Sequence, residues 1–413
     1  MAVPFSGRST VFDPASPNRS LRRGGALIAA AGALALPAAG AAADGAGLPS
    51  VPSGYSISLF AQAPMGASSP DDICVLDGRV FVAYQNGVGP NGEPNAQGGT
   101  ASTIVEYRDN GSVAGQWSVT GKVDGLGADP REQRVIATLN EDSNSSLVTI
   151  SPFAPAGDEV VSYTYSPSPS PSSGSGPLLT GGGTDSVTVL PDGAILVAAS
   201  NPQTLGADPT TIFGGPITAT FRVHLTRAER TATLAPTFLD DSEATLAPAD
   251  STTVKLDLSD PDSNAYVPPS SPLYARQFMQ VSQGDHELIF VRDITGAGAP
   301  FDASDLTTLP LSERVGDTTT SAGVDDVRWV AGERGTLYVV DDSGGDGGNG
   351  AIYAIRGPFT PGEALAAVSE TGAPNSADVV SDGHTVDTLD LATGVLTPFA
   401  TGFEHASGEA WTP

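Results

Sequence analysis

Lysine is almost absent from this chain, with only Lys122 and Lys255 among 413 residues. Against 47 acidic residues, that scarcity leaves a formal net charge of −28. Such a surface repels phosphate backbones and anionic lipid headgroups, so nucleic acid is not an expected partner. Cations, sugars and neutral small molecules stay open, and the charge also suits an exported protein that must remain soluble. Cysteine is scarcer still. Cys74 stands alone, which excludes an intrachain disulfide, haem attachment through C-x-x-C-H and a four-cysteine zinc site. It falls in the apolar strand Asp72–Leu76, where a buried structural thiol is expected rather than a nucleophile. The four histidines make no H-E-x-x-H pair. No P-loop, dinucleotide fingerprint or G-x-S-x-G elbow occurs where a strand turns into a helix, so no nucleotide is expected. Gly181-Gly182-Gly183 leads into a strand, which disfavours a phosphate cradle at a helix start. Apolar residues at helical spacing are rare as well. What is abundant is 49 glycines and 34 prolines, the composition of turns and short strands. The expected class is all-β.

The amino-terminal residues read as an address. Arg19, Arg22 and Arg23 precede an uncharged apolar run from Ala26 to Ala39, followed by Ala41-Ala42-Ala43 and Asp44. A basic stretch, a short apolar stretch and a small-x-small site in that order define a secretory signal peptide, residues 1–43, with cleavage after Ala43. The run is short and rich in alanine and glycine, which argues against a permanent membrane span. Arg22-Arg23 hints at twin-arginine export, though Gly24 and Gly25 stand where bulky apolar residues are expected. Removal of the segment takes away four arginines and one aspartate and leaves the mature chain more acidic. No later run is long enough to span a bilayer, so a secreted protein, extracellular or in the periplasm and cell envelope, is expected.

Residues 44–413 read as one domain built on a repeat. Each unit starts with an acidic residue and a β-rich strand, turns, returns, and reaches a polar loop and further strands. Ser69–Val75 turns at Asp77-Gly78 into Arg79–Tyr84, and Asp109-Asn110-Gly111 joins two further strands. The pattern restarts at Val123-Asp124-Gly125-Leu126, returning as Arg134–Leu139, and at Thr184-Asp185-Ser186-Val187, returning as Ala194–Ala199. It restarts again at Val324-Asp325-Asp326-Val327, with Thr336–Val340 expected as the return. Phe278–Val281 and Glu287–Arg292 look like another inner pair, and no register can be assigned between Leu234 and Pro272. Self-similar four-strand units at a period of roughly forty to sixty residues predict a single β-propeller, because each small sheet needs neighbours to bury its faces. Six or seven blades fit; six is preferred. Tyr55–Ala61 and the hairpin Thr385–Phe399 are candidates for closing the ring across the termini. The Ser/Pro tract 166–175 reads as a loop within the domain.

In a blade, the start of the innermost strand and the end of the second lie on one face. That places Asp71, Asp72, Asp124, Asp185, Asp325 and Asp326 beside Asn86, Asn140, Asn201, Asp341 and Asp342. The expected ligand face comprises Asp71, Asp72, Asp124, Asn140, Asp185, Asn201, Asp325, Asp341 and His405. Within it, Asp124, Asn140, Asp185, Asn201 and Asp341 form an oxygen-rich set suited to Ca²⁺ or another divalent cation. The same aspartates also suit plain turn-capping. Asn140-x-Asp142-x-Asn144 and the Gly-rich stretch holding Asp342, Asp346 and Asn349 resemble cation loops without matching the EF-hand pattern. His224 reads as a strand-face residue, whereas His405, in Phe403–Glu409, is a conceivable general base.

The Pro-Asp-Asp-Ile, Val-Asp-Gly-Leu and Val-Asp-Asp-Val strand starts, with the hairpins at Leu190–Val197 and Gly335–Asp342, resemble bacterial six-bladed NHL-type and gluconolactonase-like propellers. The resemblance covers most of residues 51–413. It implies a divalent metal held by Glu, Asn and Asp side chains at the channel, opening a sugar lactone. Asn140, Asn201, Asp185 or Asp341 match by position, while Asp71 or Asp72 stands where that branch carries a glutamate. Three functions follow: a scaffold binding a small molecule or extracellular protein, a metal-dependent lactonase-like hydrolase, and a cell-envelope adhesion or structural module. No catalytic residue is assigned, and a monomer is expected.

Overall fold

The computed structural model describes residues 47–166, 168–169, 183–200, 218–248, 252–294, 304–342, 350–374 and 380–413. The expected signal segment, most of the Ser/Pro tract, Asn201, Asp346 and Asn349 lie outside these. Among the described residues every regular element is a strand, as the composition predicts.

In chain order, β1 (Ser56–Gln62) is followed by an antiparallel meander of β2 (Pro70–Leu76), β3 (Arg79–Tyr84), β4 (Ala101–Tyr107) and β5 (Val113–Thr120). A second meander holds β6 (Val123–Asp129), β7 (Arg134–Leu139), β8 (Ser146–Ile150) and β9 (Val160–Ser166), and a third holds β10 (Thr184–Val189), β11 (Ile195–Ala199), β12 (Thr218–Thr226) and β13 (Thr231–Leu239). Their outermost strands, β9 and β13, pair in parallel, so the two meanders share one sheet and hide each other's edge. The hairpin β14 (Glu243–Leu246) and β15 (Thr253–Lys255) covers the edge of a fourth set, β16 (Asn264–Tyr266), β17 (Phe278–Ser282), β18 (Glu287–Val291) and β19 (Leu306–Pro310).

The last strands interleave. They are β20 (Ser312–Val315), β21 (Thr318–Trp329), β22 (Thr336–Asp341), β23 (Ala351–Arg356), β24 (Ala364–Thr371), β25 (Val380–Asp390), β26 (Val395–Thr401) and β27 (Ala406–Thr412). The strand after the Asp325 restart does not return through β22 as the sequence pattern predicts. β21 pairs with β24, which continues to β25 and β26, and β20 closes against β21 and β26. β22 instead pairs with β27 on one side and β23 on the other, and β23 pairs with β1. The terminal strands do meet in one sheet, as ring closure requires, but through β1 and β27 rather than through Thr385–Phe399. Phe278–Val281 and Glu287–Arg292 are likewise the second and third strands of their set, since the short β16 pairs inside them.

The apolar side chains form six buried clusters, each between neighbouring four-strand units. Phe81 and Ile104 face Leu126 and Val148, for example, and Phe238 and Leu196 face Phe278 and Ile289. Each fully buried Phe, Ile or Leu contributes about 1.5–3 kcal/mol, so the interfaces between units, not the units alone, carry the stability. Cys74 is buried in one of them, and burial pushes its thiol up, in keeping with a structural role. The innermost strands β2, β6, β10, β16, β21 and β27 touch one another in cyclic order, a propeller-like arrangement around an axis. They come so close that some positions, Gly125 and Gly408 among them, admit no side chain. A Cβ at Gly125 would lie 2.6 Å from the Asp185 carbonyl oxygen, and one at Gly408 would lie 2.5 Å from that of Asp71.

Candidate functional site

A repeated bracket fixes the start of the inner strands. Asn86 and Asn140, just past the second strands, adopt φ of 57° and 63°, a left-handed turn that asparagine tolerates. Asn86 Oδ1 accepts the Ser68 N–H at 3.0 Å, and Asn140 Oδ1 accepts the Lys122 N–H at 2.9 Å. Asp341 does the same in the last unit, where its Oδ1 accepts the N–H groups of Glu404 and His405 at 2.9 and 2.7 Å. These side chains spend their oxygens on backbone donors, which is the turn-capping alternative. Asn140 and Asp341 accordingly hold strand starts in place, and neither belongs to the wall of the axial cavity. Within the Asn140–Asn144 loop, Asn140 Nδ2 donates to the Asn144 carbonyl at 3.2 Å.

That cavity, of about 280 Å³, is where the inner strands converge. Of the residues expected there, Asp71, Asp72, Asp124, Asp185, Asp325 and His405 line it, and all six four-strand units contribute. The structure adds members the sequence reading did not place: Lys122, Glu141, Gln85, Asp262, Asn264, Gln283 and Arg328. Asp262 opens β16 in the region without register. Its signal was Pro261-Asp262, which repeats Pro70-Asp71.

Two of the aspartates are structural stitches. Asp72 Oδ2 accepts the Leu126 N–H at 2.6 Å, and Asp326 Oδ2 accepts the Glu409 N–H at 2.7 Å, each tying its strand to the next inner strand. Arg328 lies between them, with Nε 3.1 Å from Asp326 Oδ2 and Nη2 3.9 Å from Asp72 Oδ1. The same guanidinium also lines a second, mixed polar and apolar hollow of the inner strands, so it stands between the two spaces.

The other acids divide unequally around the cavity. Gln85 Nε2 donates to Asp71 Oδ2 at 2.8 Å, and Gln283 Nε2 donates to Asp325 Oδ1. Lys122 Nζ sits 2.9 Å from Asp124 Oδ1 and pairs with Glu141. Among the described residues Asp185 has no ion pair of that kind. It lies with Asp260 and Asp262 in a group in which one carboxylate oxygen from each is within 4.8 Å of the other two. Asp185 is 4% exposed, Asp124 6% and Asn264 2%. Asp185 Oδ2, Asp124 Oδ2 and Asn264 Oδ1 have no hydrogen-bond partner among the described residues. A buried oxygen without a donor costs roughly 1–3 kcal/mol, more when charged, so these three atoms call for one.

Burial raises six of the cavity carboxyls. Asp71 and Asp325 are pushed up to about 8 and Asp72 to about 7, with loss of hydration as the main cause and neighbouring acids adding to it. Asp124, Asp185 and Asp262 rise well above the carboxylate range for the same reasons, although Lys122 opposes the rise at Asp124. Burial also draws the His405 ring below the usual histidine range, with Asp341 pulling the other way. Close carboxylates in a poorly hydrated space take up either protons or a cation. An all-oxygen set of this kind suits a hard cation such as Ca²⁺ better than a transition metal.

No family model matches the chain, and no curated protein does. Among solved structures it is similar to a protein of unknown function from Bacteroides caccae, at 8% identity and a TM-score of 0.41 over 84% of this chain and 88% of that one. It is also similar to a periplasmic gluconolactonase from Pseudomonas aeruginosa, at 14% identity and a TM-score of 0.41 over 83% and 88%. The WD40 propeller domain of Doa1 shares 10% identity at a TM-score of 0.34 over 83% and 85%. Propellers of both kinds are thus among its neighbours at low identity.

Proposed function

We propose that this chain is an exported, monomeric, single six-bladed β-propeller whose axial cavity binds a divalent cation and uses it to hold a polar small molecule or an extracellular partner. The blade count rests on six inner strands in cyclic contact and six apolar clusters between units. The cation rests above all on Asp185, whose buried Oδ2 lacks a donor and which shares oxygen geometry with Asp260 and Asp262. Purified protein should carry calcium or a similar hard ion by elemental analysis. Asp185→Asn, nearly isosteric, should lose it while the circular dichroism stays unchanged. A metal-free wild type that cannot be loaded with Ca²⁺ would remove this reading.

Export rests on the sequence pattern at Arg19–Asp44 alone. Expressed with its natural start in a bacterial host, the exported protein should begin at Asp44 by mass, and retention of residues 1–43 in the cytoplasm would refute the assignment.

A second reading is metal-dependent hydrolysis of a sugar lactone. What favours it is a pair of carboxyls, Asp71 and Asp325, both pushed up to about 8 and therefore able to exchange protons near neutral pH. Opening of a sugar lactone by the metal-loaded protein, lost in Asp185→Asn, is the result that would put this reading first.

A further inference from the structure

We propose that Lys122 is a tethered counter-ion that limits the cavity to one exchangeable divalent cation, by filling the place that a second would take among Asp71, Asp124 and Glu141. The proposal deepens the cation-binding reading and rests on it. Its starting point is the scarcity of lysine. Of the two lysines, Lys255 is exposed and paired with Asp241, whereas Lys122 points into the acidic cavity.

Its position is enforced from both sides. The backbone of Lys122 is held by Asn140, whose Oδ1 accepts the Lys122 N–H at 2.9 Å and whose own N–H donates to the Lys122 carbonyl at 2.8 Å. The ammonium then meets Asp124 Oδ1 at 2.9 Å and Glu141, with Asp71 close enough to raise its proton affinity further. An ammonium is one positive charge with three donors, and Asp124 Oδ2 remains without any of them. That buried oxygen, on a residue of the cavity wall, is the independent sign that the place accommodates more positive charge than the lysine supplies.

Asp72 and Asp326 are answered by Arg328. Among the described residues Asp185, Asp260 and Asp262 form no ion pair, although Lys122 lies near enough to favour the charged forms of Asp185 and Asp260. The Lys122 group thus carries its cation on a side chain, and the neighbouring Asp185 group takes one from solution. Without the ammonium, Asp71, Asp124 and Glu141 would present an oxygen cluster of the same kind as the Asp185 group, and a second hard ion would enter there.

The test is the number of Ca²⁺ ions bound per chain, by equilibrium dialysis of the chelator-stripped, mature-length protein at pH 7.5, with circular dichroism as the check on folding. Wild type should bind one ion, Lys122→Met two, and Lys122→Arg, which keeps the charge, one. A folded Lys122→Met that still binds one ion overturns the proposal, and so does a Lys122→Arg that binds two. Should Lys122→Met not fold, Asp124→Asn decides. It should retain the single ion, while Asp185→Asn should bind none. Loss of the ion in Asp124→Asn with retention in Asp185→Asn would place binding at the lysine and overturn the proposal. Wild type that binds none sinks the cation reading itself, a different outcome from any variant result.

Discussion

Stripped of divalent ions, the protein melts at a lower temperature at pH 8 than at pH 5, and saturating Ca²⁺ removes most of the difference. The sign follows from the cavity carboxyls. In the unfolded chain an aspartate releases its proton near 4, whereas in the fold Asp71 and Asp325 hold theirs to about 8 and Asp72 to about 7. A group whose affinity for a proton rises on folding adds stability that is complete below about 4 and is lost as pH climbs through about 8. One such group is worth up to about 4 kcal/mol between pH 5 and 8, or roughly 5 °C for a domain this size. A cation bound among the acids replaces the protons. At a thousand times its dissociation constant it adds about 4 kcal/mol at pH 8, where the protons are gone. Calorimetry at the two pH values, with and without Ca²⁺, checks this. A melting temperature that rises with pH in the stripped protein would show that the acids are hydrated and the cavity argument is wrong.

The second large effect is at Arg328. Replacing it with methionine keeps much of the volume but leaves Asp72 and Asp326 facing each other with no positive charge between them. Removing one partner of a buried ionic cluster costs about 3–5 kcal/mol, most of it the penalty on the charges left behind. The loss should be smaller at pH 5 than at pH 8, because Asp72 is neutral at the lower value in either protein. Chemical denaturation of Arg328→Met and wild type at both values is the measurement. An equal loss at both would mean that Arg328 acts through packing rather than charge.

Part of this cavity is legible in the sequence, and the reason is geometric. Asp71, Asp124 and Asp185 each open an innermost strand before a recognisable alternation, and Asp325 repeats the same pattern within the longer β21, so the repeat alone brings them to a common axis. Asp262 escapes notice because its strand, Asn264–Tyr266, is three residues long and shows no alternation. Only the Pro-Asp pair that precedes it echoes Pro70-Asp71. Asn140 and Asp341 sit at the expected height, yet their oxygens turn back to the main chain. Position in a repeat does not say which way a short polar side chain faces. Lys122 stands out in composition, but nothing local reveals that its charge is spent on Asp124 and Glu141. The order of the last strands is hidden for a further reason. Strands adjacent in sequence usually pair, and Val324–Trp329 breaks that rule by handing its neighbour β22 to the following sheet.

That exchange of strands has a temporal side. β22 and β23 precede β24, β25 and β26 in the chain, yet the sheet they form with β1 is complete only when β27 docks on its other edge. His405, Ser407 and Gly408, which close the cavity wall, arrive with that same segment. Two neighbouring sheets are therefore laced together by one late event, and contacts spanning so much chain form slowly. On the cation-binding reading proposed above, the wall that would enclose an ion is complete only once that segment has docked.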